Sequence, residues 1–272
     1  MRQGQEQVPV LLVHGARTSR TMWRRQVEIL DAAGVPALAV DLPGHGTRMA
    51  ERFTLAGAVA AVDDGVAALG GRALVVGLSL GGYVGIEHRA RYPERSAGLV
   101  ASSCCTPPQT RVRDAWLLAM RLVESRPDHG ARLNDLLAGL ALDPQSARDV
   151  AEGGYALEVM VDVLREVAAS DTLTALAAGT SPVWLLNGRW DHFRGRERSM
   201  LAAARSGGTP ARLVVVPRAT HLVSLDAPVA YARVVLEAVA AVSEGAGALI
   251  PRSRAAAPTL GPRRREPLSS AR

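Results

Sequence analysis

The sequence predicts an α/β protein, a mostly parallel sheet of about six strands flanked by helices, with a helical insertion. Short aliphatic and β-branched runs alternate with longer stretches of helical periodicity, the pattern of parallel strands joined by helical crossovers. The runs are apolar almost throughout, which suits strands covered on both faces. The chain has 272 residues, 48% of them apolar and 21% charged. That length buries a full hydrophobic core without metal or crosslinks.

Six runs read as strands: Val8–Val13, Ala37–Asp41, Ala73–Gly77, Gly98–Ser102, Pro182–Asn187 and Leu213–Val216. Between them, Thr21–Ala33 has helical periodicity and closes on Gly34, Thr54 is placed to cap a helix running to Leu69, and Leu80–Arg91 carries a third. Pro228 opens the last helix, to about Val242. Residues 1–106 and 182–244 thus form the core. The rhythm breaks over 107–181, where Asp114–Glu124, Gly130–Leu140 and Tyr155–Ala169 read as helices without a convincing strand. An insertion at this point of an α/β sheet sits over the strand ends as a cap, near where ligands bind.

The formal charge is +6, but it is unevenly spread. Residues 245–272 hold six Arg against one acid, in a Gly, Ala, Pro and Ser background expected to be a disordered tail. The folded part is nearly neutral, so the basic balance points to no nucleic-acid surface. Residues 107–181 hold seven Arg against eleven acids, which favours neutral over strongly anionic substrates. Met1–Gln7 is polar with no apolar leader behind it, and no run reaches the ~20 residues of a membrane span. A cytoplasmic protein without a membrane partner is expected. Cys104 and Cys105 are neighbours, unsuited to a disulfide with each other, and read as two small buried thiols.

Chemistry concentrates at Gly77-Leu78-Ser79-Leu80-Gly81-Gly82, a G-x-S-x-G between a strand and a helix. A serine on so sharp a turn is forced outward, and the flanking glycines admit the close approach of strand and helix. The Leu80 N–H at the helix start can stabilise an oxyanion, and the Ala16 N–H, after His14-Gly15, can supply a second donor. Asp191 follows the fifth strand in Asn187-Gly188-Arg189-Trp190-Asp191, and His221 follows the sixth in Ala219-Thr220-His221. Ser79, Asp191 and His221 therefore occur in the order nucleophile, acid, base. Ser102–Pro108, the other place from which an acid could come, has none. His88 and His129 read as surface residues, and His192 as a candidate for the pocket rim.

With these segments the chain resembles the α/β-hydrolase superfamily over residues 8–244. Asp41-Leu42-Pro43-Gly44-His45-Gly46 is similar to that family's D-x-x-G-H-G turn, and Gly77–Gly82 with Tyr92-Pro93-Glu94-Arg95 is similar to its carboxylesterase and enol-lactonase branch. The resemblance implies the α/β-hydrolase fold, with His14 and His45 as turn-fixing residues. It departs at the N-terminus, where the usual hairpin of two strands has only seven residues available, so a shortened N-terminus with little or nothing of that hairpin is expected.

The expected activity is cleavage of a small to medium carboxylic ester or lactone through an acyl-enzyme. Ser79 is the nucleophile, His221 the base, Asp191 its orienter, and Ala16 and Leu80 the oxyanion donors. Thioesterase, C–C bond hydrolase and perhydrolase chemistry use the same triad and stay open, as does a receptor that keeps the pocket without turnover. Metal-ligand spacing is absent, and Ser79 interrupts any G-x-G-x-x-G, so neither a metal nor another cofactor is expected.

Overall fold

The computed structural model describes residues 7–106 and 142–244, together with Arg132 and Gly139. Among them, six strands form one sheet: β1 (Val10–Val13), β2 (Ala37–Val40), β3 (Ala73–Leu78), β4 (Ser96–Ser102), β5 (Val183–Gly188) and β6 (Ala211–Val216). Their order is β2-β1-β3-β4-β5-β6 and every pair is parallel. The α-helices that lie wholly within the described residues are α1 (Arg24–Ala32), α2 (Leu55–Ala68), α3 (Leu80–Arg91), α4 (Pro144–Glu152), α5 (Met160–Ala168), α6 (Thr172–Ala178), α7 (Glu197–Ser206), α8 (Val223–Asp226) and α9 (Pro228–Ser243).

Alternate strand residues divide between two cores, as the two-residue period of a strand requires. Leu11, Val13, Val75, Leu99 and Leu185 pack with α2, α3 and α7, whereas Val10, Leu12, Val76, Val100 and Trp184 pack with α1 and α9. Both faces of the sheet are covered, which explains the unbroken apolar runs.

Local chemistry sets the helix starts. Thr54 Oγ1 accepts the Gly57 N–H at 3.0 Å, and Pro228 opens α9. Two expected helices start later than their periodicity indicates. Ser19 caps a 3-10 turn over Arg20–Trp23, so α1 begins at Arg24 rather than Thr21. Gly154 has φ +74°, a left-handed conformation suited to glycine, and α5 begins only at Met160. The helices expected at Asp114–Glu124 and Gly130–Leu140 and the basic tail of 245–272 lie outside the described residues, Arg132 and Gly139 apart.

Arg89 is buried, without a carboxylate partner among the described residues. Its guanidinium donates to the carbonyls of Leu176 at 2.9 Å, Gly179 at 2.8 Å and Ser181 at 2.9 Å, satisfying the C-terminal end of α6 and the turn into β5. Near the other side of the sheet, the Val8 N–H donates to Ser243 Oγ at 3.0 Å. Among the described residues no helix is long and apolar enough to cross a membrane.

Candidate active site

Parallel strands deliver their C-terminal ends to one edge, and the candidate residues lie along it. At the end of β3 the backbone turns sharply into α3, with Ser79 at φ 53° and ψ −111°. A non-glycine residue in that region stores strain of about 1–3 kcal/mol, a recurrent property of active-site turns. The glycines are sterically required: a Cβ on Gly77 would stand 2.1 Å from the Gly81 carbonyl oxygen, and one on Gly81 would stand 2.2 Å from that of Val13. The Ser79 N–H donates to the Ser102 carbonyl at 2.8 Å, anchoring the turn to β4.

Leu80 is the first residue of α3, so its N–H belongs to the helix's unpaired, electropositive end. Gly15 borders Ser79 closely, since a Cβ on it would lie 3.6 Å from the Ser79 Cβ. Ala16, the other expected oxyanion donor, follows in this same loop.

The first loop is fixed to the next by His14. Its Nε2 accepts the Leu42 N–H at 3.0 Å and its Nδ1 lies 2.8 Å from the Gly15 carbonyl oxygen. The Asp41–Gly46 turn wraps the Asp41 carboxylate, which accepts the Arg20 N–H at 2.7 Å and the Thr47 N–H at 3.0 Å. His45 Nδ1 lies 3.0 Å from the Pro43 carbonyl oxygen. Both histidines hold turns, as their positions imply.

Beyond β5 and β6 the structure brings Asp191 and His221 together, with Oδ1 and Nδ1 3.1 Å apart. The Asp191 side chain is buried and its Oδ1 also accepts the Phe193 N–H at 2.8 Å. Burial raises the Asp191 pKa, but the His221 hydrogen bond and charge, the Phe193 N–H and the neighbouring Ser103 hydroxyl outweigh it and hold the carboxyl below its usual range. Neither Ser103 Oγ nor Asp191 Oδ2 has a hydrogen bond of normal geometry among the described residues. Ser79 and His221 have no direct hydrogen bond there either; a nucleophile–base contact often tightens only in the Michaelis complex.

The supporting contacts of the site escape a reading of the sequence. Asn187, fully buried at the end of β5, accepts the Ser103 N–H at 3.0 Å and donates to Glu197 at 2.8 Å. Glu197 in turn binds Arg194, so the loop carrying Asp191 is tied to β4 and α7. Asn187 was visible in its motif, but no local signal marks Ser103 or Phe193. His88 corrects the surface reading: it is fully buried, 3.3 Å from Asp63 and packed on Tyr92. It sits on a face of α3 whose neighbours come from elsewhere in the chain. His192 is exposed beside His221, and Cys104 and Cys105 are free and buried as expected. His129 lies outside the described residues.

Among the described residues Asp191, His192 and His221 offer ligand atoms within 4.8 Å of one another. His221 Nδ1 and Asp191 Oδ1 already bind each other, so a cation held by those two atoms would displace that hydrogen bond. A separate cavity of about 430 Å³ lies between the Asp41–Gly46 turn and α5, lined by Gly44, Met49, Phe53, Tyr155 and Val159 among others. It does not include Ser79 or His221.

A parallel sheet with a strained serine turn after one strand, and an acid and a histidine paired after two later ones, defines the alpha/beta hydrolase architecture. The chain belongs to the alpha/beta hydrolase family, which it matches over residues 10–234. It is similar to a pimeloyl-[acyl-carrier protein] methyl ester esterase of Neisseria meningitidis, 38% identical over 104 residues, 38% of this chain and 37% of that protein. The chain thus matches little more than a third of that relative's length. Among solved structures it resembles a thermophilic esterase of Thermogutta terrifontis, with TM-score 0.69, 23% identity and coverage of 87% of this chain and 90% of that one. It also resembles a carboxylesterase of Nitrososphaera gargenis, with TM-score 0.71, 16% identity and coverage of 89% and 93%. At these identities the two structures speak for the fold.

Proposed function

We propose that the protein is a serine hydrolase that cleaves a small to medium carboxylic ester or lactone. Ser79 attacks the carbonyl, and His221 takes its proton and then gives it to the leaving alcohol. Asp191 holds the imidazole with Nδ1 protonated and stabilises the imidazolium. The Leu80 and Ala16 N–H groups face the oxyanion of the tetrahedral intermediate. Water, deprotonated by His221, then releases the acyl group from Ser79.

The observation that carries this reading is the Asp191–His221 hydrogen bond, made at the sheet edge that also holds the Ser79 turn. A serine hydroxyl is a poor nucleophile at neutral pH, and an oriented imidazole is what activates it. The methyl ester esterase relative favours an ester over a thioester or a ketone.

A fluorophosphonate probe followed by peptide mass mapping tests the nucleophile: stoichiometric labelling at Ser79 is expected. A panel of matched esters, thioesters and lactones tests the substrate, with the highest kcat/KM expected among esters or lactones. Labelling elsewhere, or thioesters turned over fastest, would replace this assignment.

A further inference from the structure

Resting on His221 as the base, we propose that Phe193 is a positioning residue for its imidazole. One hydrogen bond to Asp191 fixes a single ring atom and leaves the imidazole free to swing about that contact. Three rings meet at the site instead. The Phe193 and His221 centroids are 4.8 Å apart, those of His192 and His221 5.2 Å, and those of His192 and Phe193 4.5 Å. These separations are those of packed aromatic pairs, so the His221 ring is held at its carbons as well as at Nδ1.

Phe193 acts on the acid too. Its backbone N–H donates to Asp191 Oδ1, the same oxygen that His221 Nδ1 approaches. A side-chain oxygen accepting the N–H two residues on is an Asx turn, which sets the direction of the carboxylate. Asp191-His192-Phe193 thereby presents the hydrogen-bond acceptor and the packing surface for His221 from one short segment.

The ring matters most when charge develops. As His221 takes the proton of Ser79 it becomes a cation beside an aromatic ring, within the ~6 Å over which such contacts stabilise charge. The backbone amide survives any substitution at Phe193 except proline, so side-chain variants isolate the ring.

The experiment measures kcat and KM for Phe193→Ala, Phe193→Leu and Phe193→Tyr beside His221→Ala, on the best substrate of the ester panel. Phe193→Ala is expected to lower kcat about tenfold with KM within about twofold. Phe193→Leu, which fills the volume without a π-face, also loses kcat and serves if the alanine variant folds poorly. Phe193→Tyr restores kcat to within about threefold of the wild type, a rescue that generic loop damage does not predict. Wild-type kcat in Phe193→Leu, or a loss confined to KM, overturns the positioning role. Activity retained in His221→Ala removes the reading of the base itself, so the two failures are distinguishable.

Discussion

His14 Nε2 accepts the Leu42 backbone N–H at 3.0 Å, which makes the loop beside Ser79 depend on an unprotonated ring nitrogen. Burial and then the neighbouring His45 lower the His14 pKa from 6.5 to about 3. Below pH 6.5 the unfolded chain takes this proton before the folded one does, so the stabilisation is complete above that value and is lost as pH falls toward 3. Burial also lowers His45 and His88, which adds to the slope. The urea midpoint is therefore expected to fall steadily below about pH 6.5, and between about pH 6.5 and 5.5 it does so above the range where most carboxylates titrate. A flat midpoint across that window contradicts the account.

Ser79→Ala is expected to lower kcat/KM at least ~10³-fold while leaving the melting temperature nearly unchanged. His221→Ala should lose a similar factor, and the double variant should be scarcely worse than either, because nucleophile and base act as one unit. Losses that multiply point to a different base.

Asp191→Asn keeps the shape of the side chain but can present an amide N–H to His221 Nδ1, favouring the wrong tautomer. A fall in kcat of about 10⁴-fold is expected, with the fold intact by circular dichroism. A variant within tenfold of wild type would relieve Asp191 of its assigned role.

Gly77→Ala puts a methyl group 2.1 Å from the Gly81 carbonyl oxygen, a backbone atom that no side-chain rotation can move. A loss of about 3 kcal/mol or more is expected by chemical denaturation, together with loss of activity. A variant as stable as wild type shows that the β3–α3 approach is looser than described.

Arg89→Met keeps most of the side-chain volume and removes the donors to Leu176, Gly179 and Ser181. The Gly179 carbonyl keeps the Thr209 hydroxyl at 3.4 Å, whereas those of Leu176 and Ser181 lose the guanidinium. Each orphaned buried carbonyl costs about 1–3 kcal/mol, so a stability loss of about 2 kcal/mol or more is expected. Burial lowers the Arg89 pKa to about 10, which still leaves it charged at neutral pH. Arg89→Lys should recover only part of the loss, because one ammonium cannot reproduce the planar fork. An unchanged denaturation midpoint in Arg89→Met removes its capping role.

The regularities that survive in a linear chain are those with a local cause. Leu80–Arg91 is helical from its first residue to its last, and Thr54 caps α2, because the turn glycines and the cap hydroxyl act on adjacent backbone. Helix α7 is harder to read: only Met200 and Ala204 are buried, too few apolar positions to show a period, although they stand four apart as a helix requires. Helix α4 had readable signals in Asp143 at its cap and Pro144 in its first turn. At the site, Ser79, Asp191 and His221 announce themselves by motif and order. Ser103 and Phe193 do not, and Asn187 stands in a motif that gives no hint of its partners, because each matters through what another strand or loop brings against it.

The placement of His221 after β6 also orders events in time. Among the described residues β6 lies at the edge of the sheet, paired with β5, and is the last of the six strands in chain order. A nascent chain that has folded as far as β5 holds the serine turn and the acid but no base, so on the roles proposed it is chemically silent toward esters. Recovery of hydrolysis during refolding then reports the docking of that final strand rather than the collapse of the core, and should lag behind the return of helical signal.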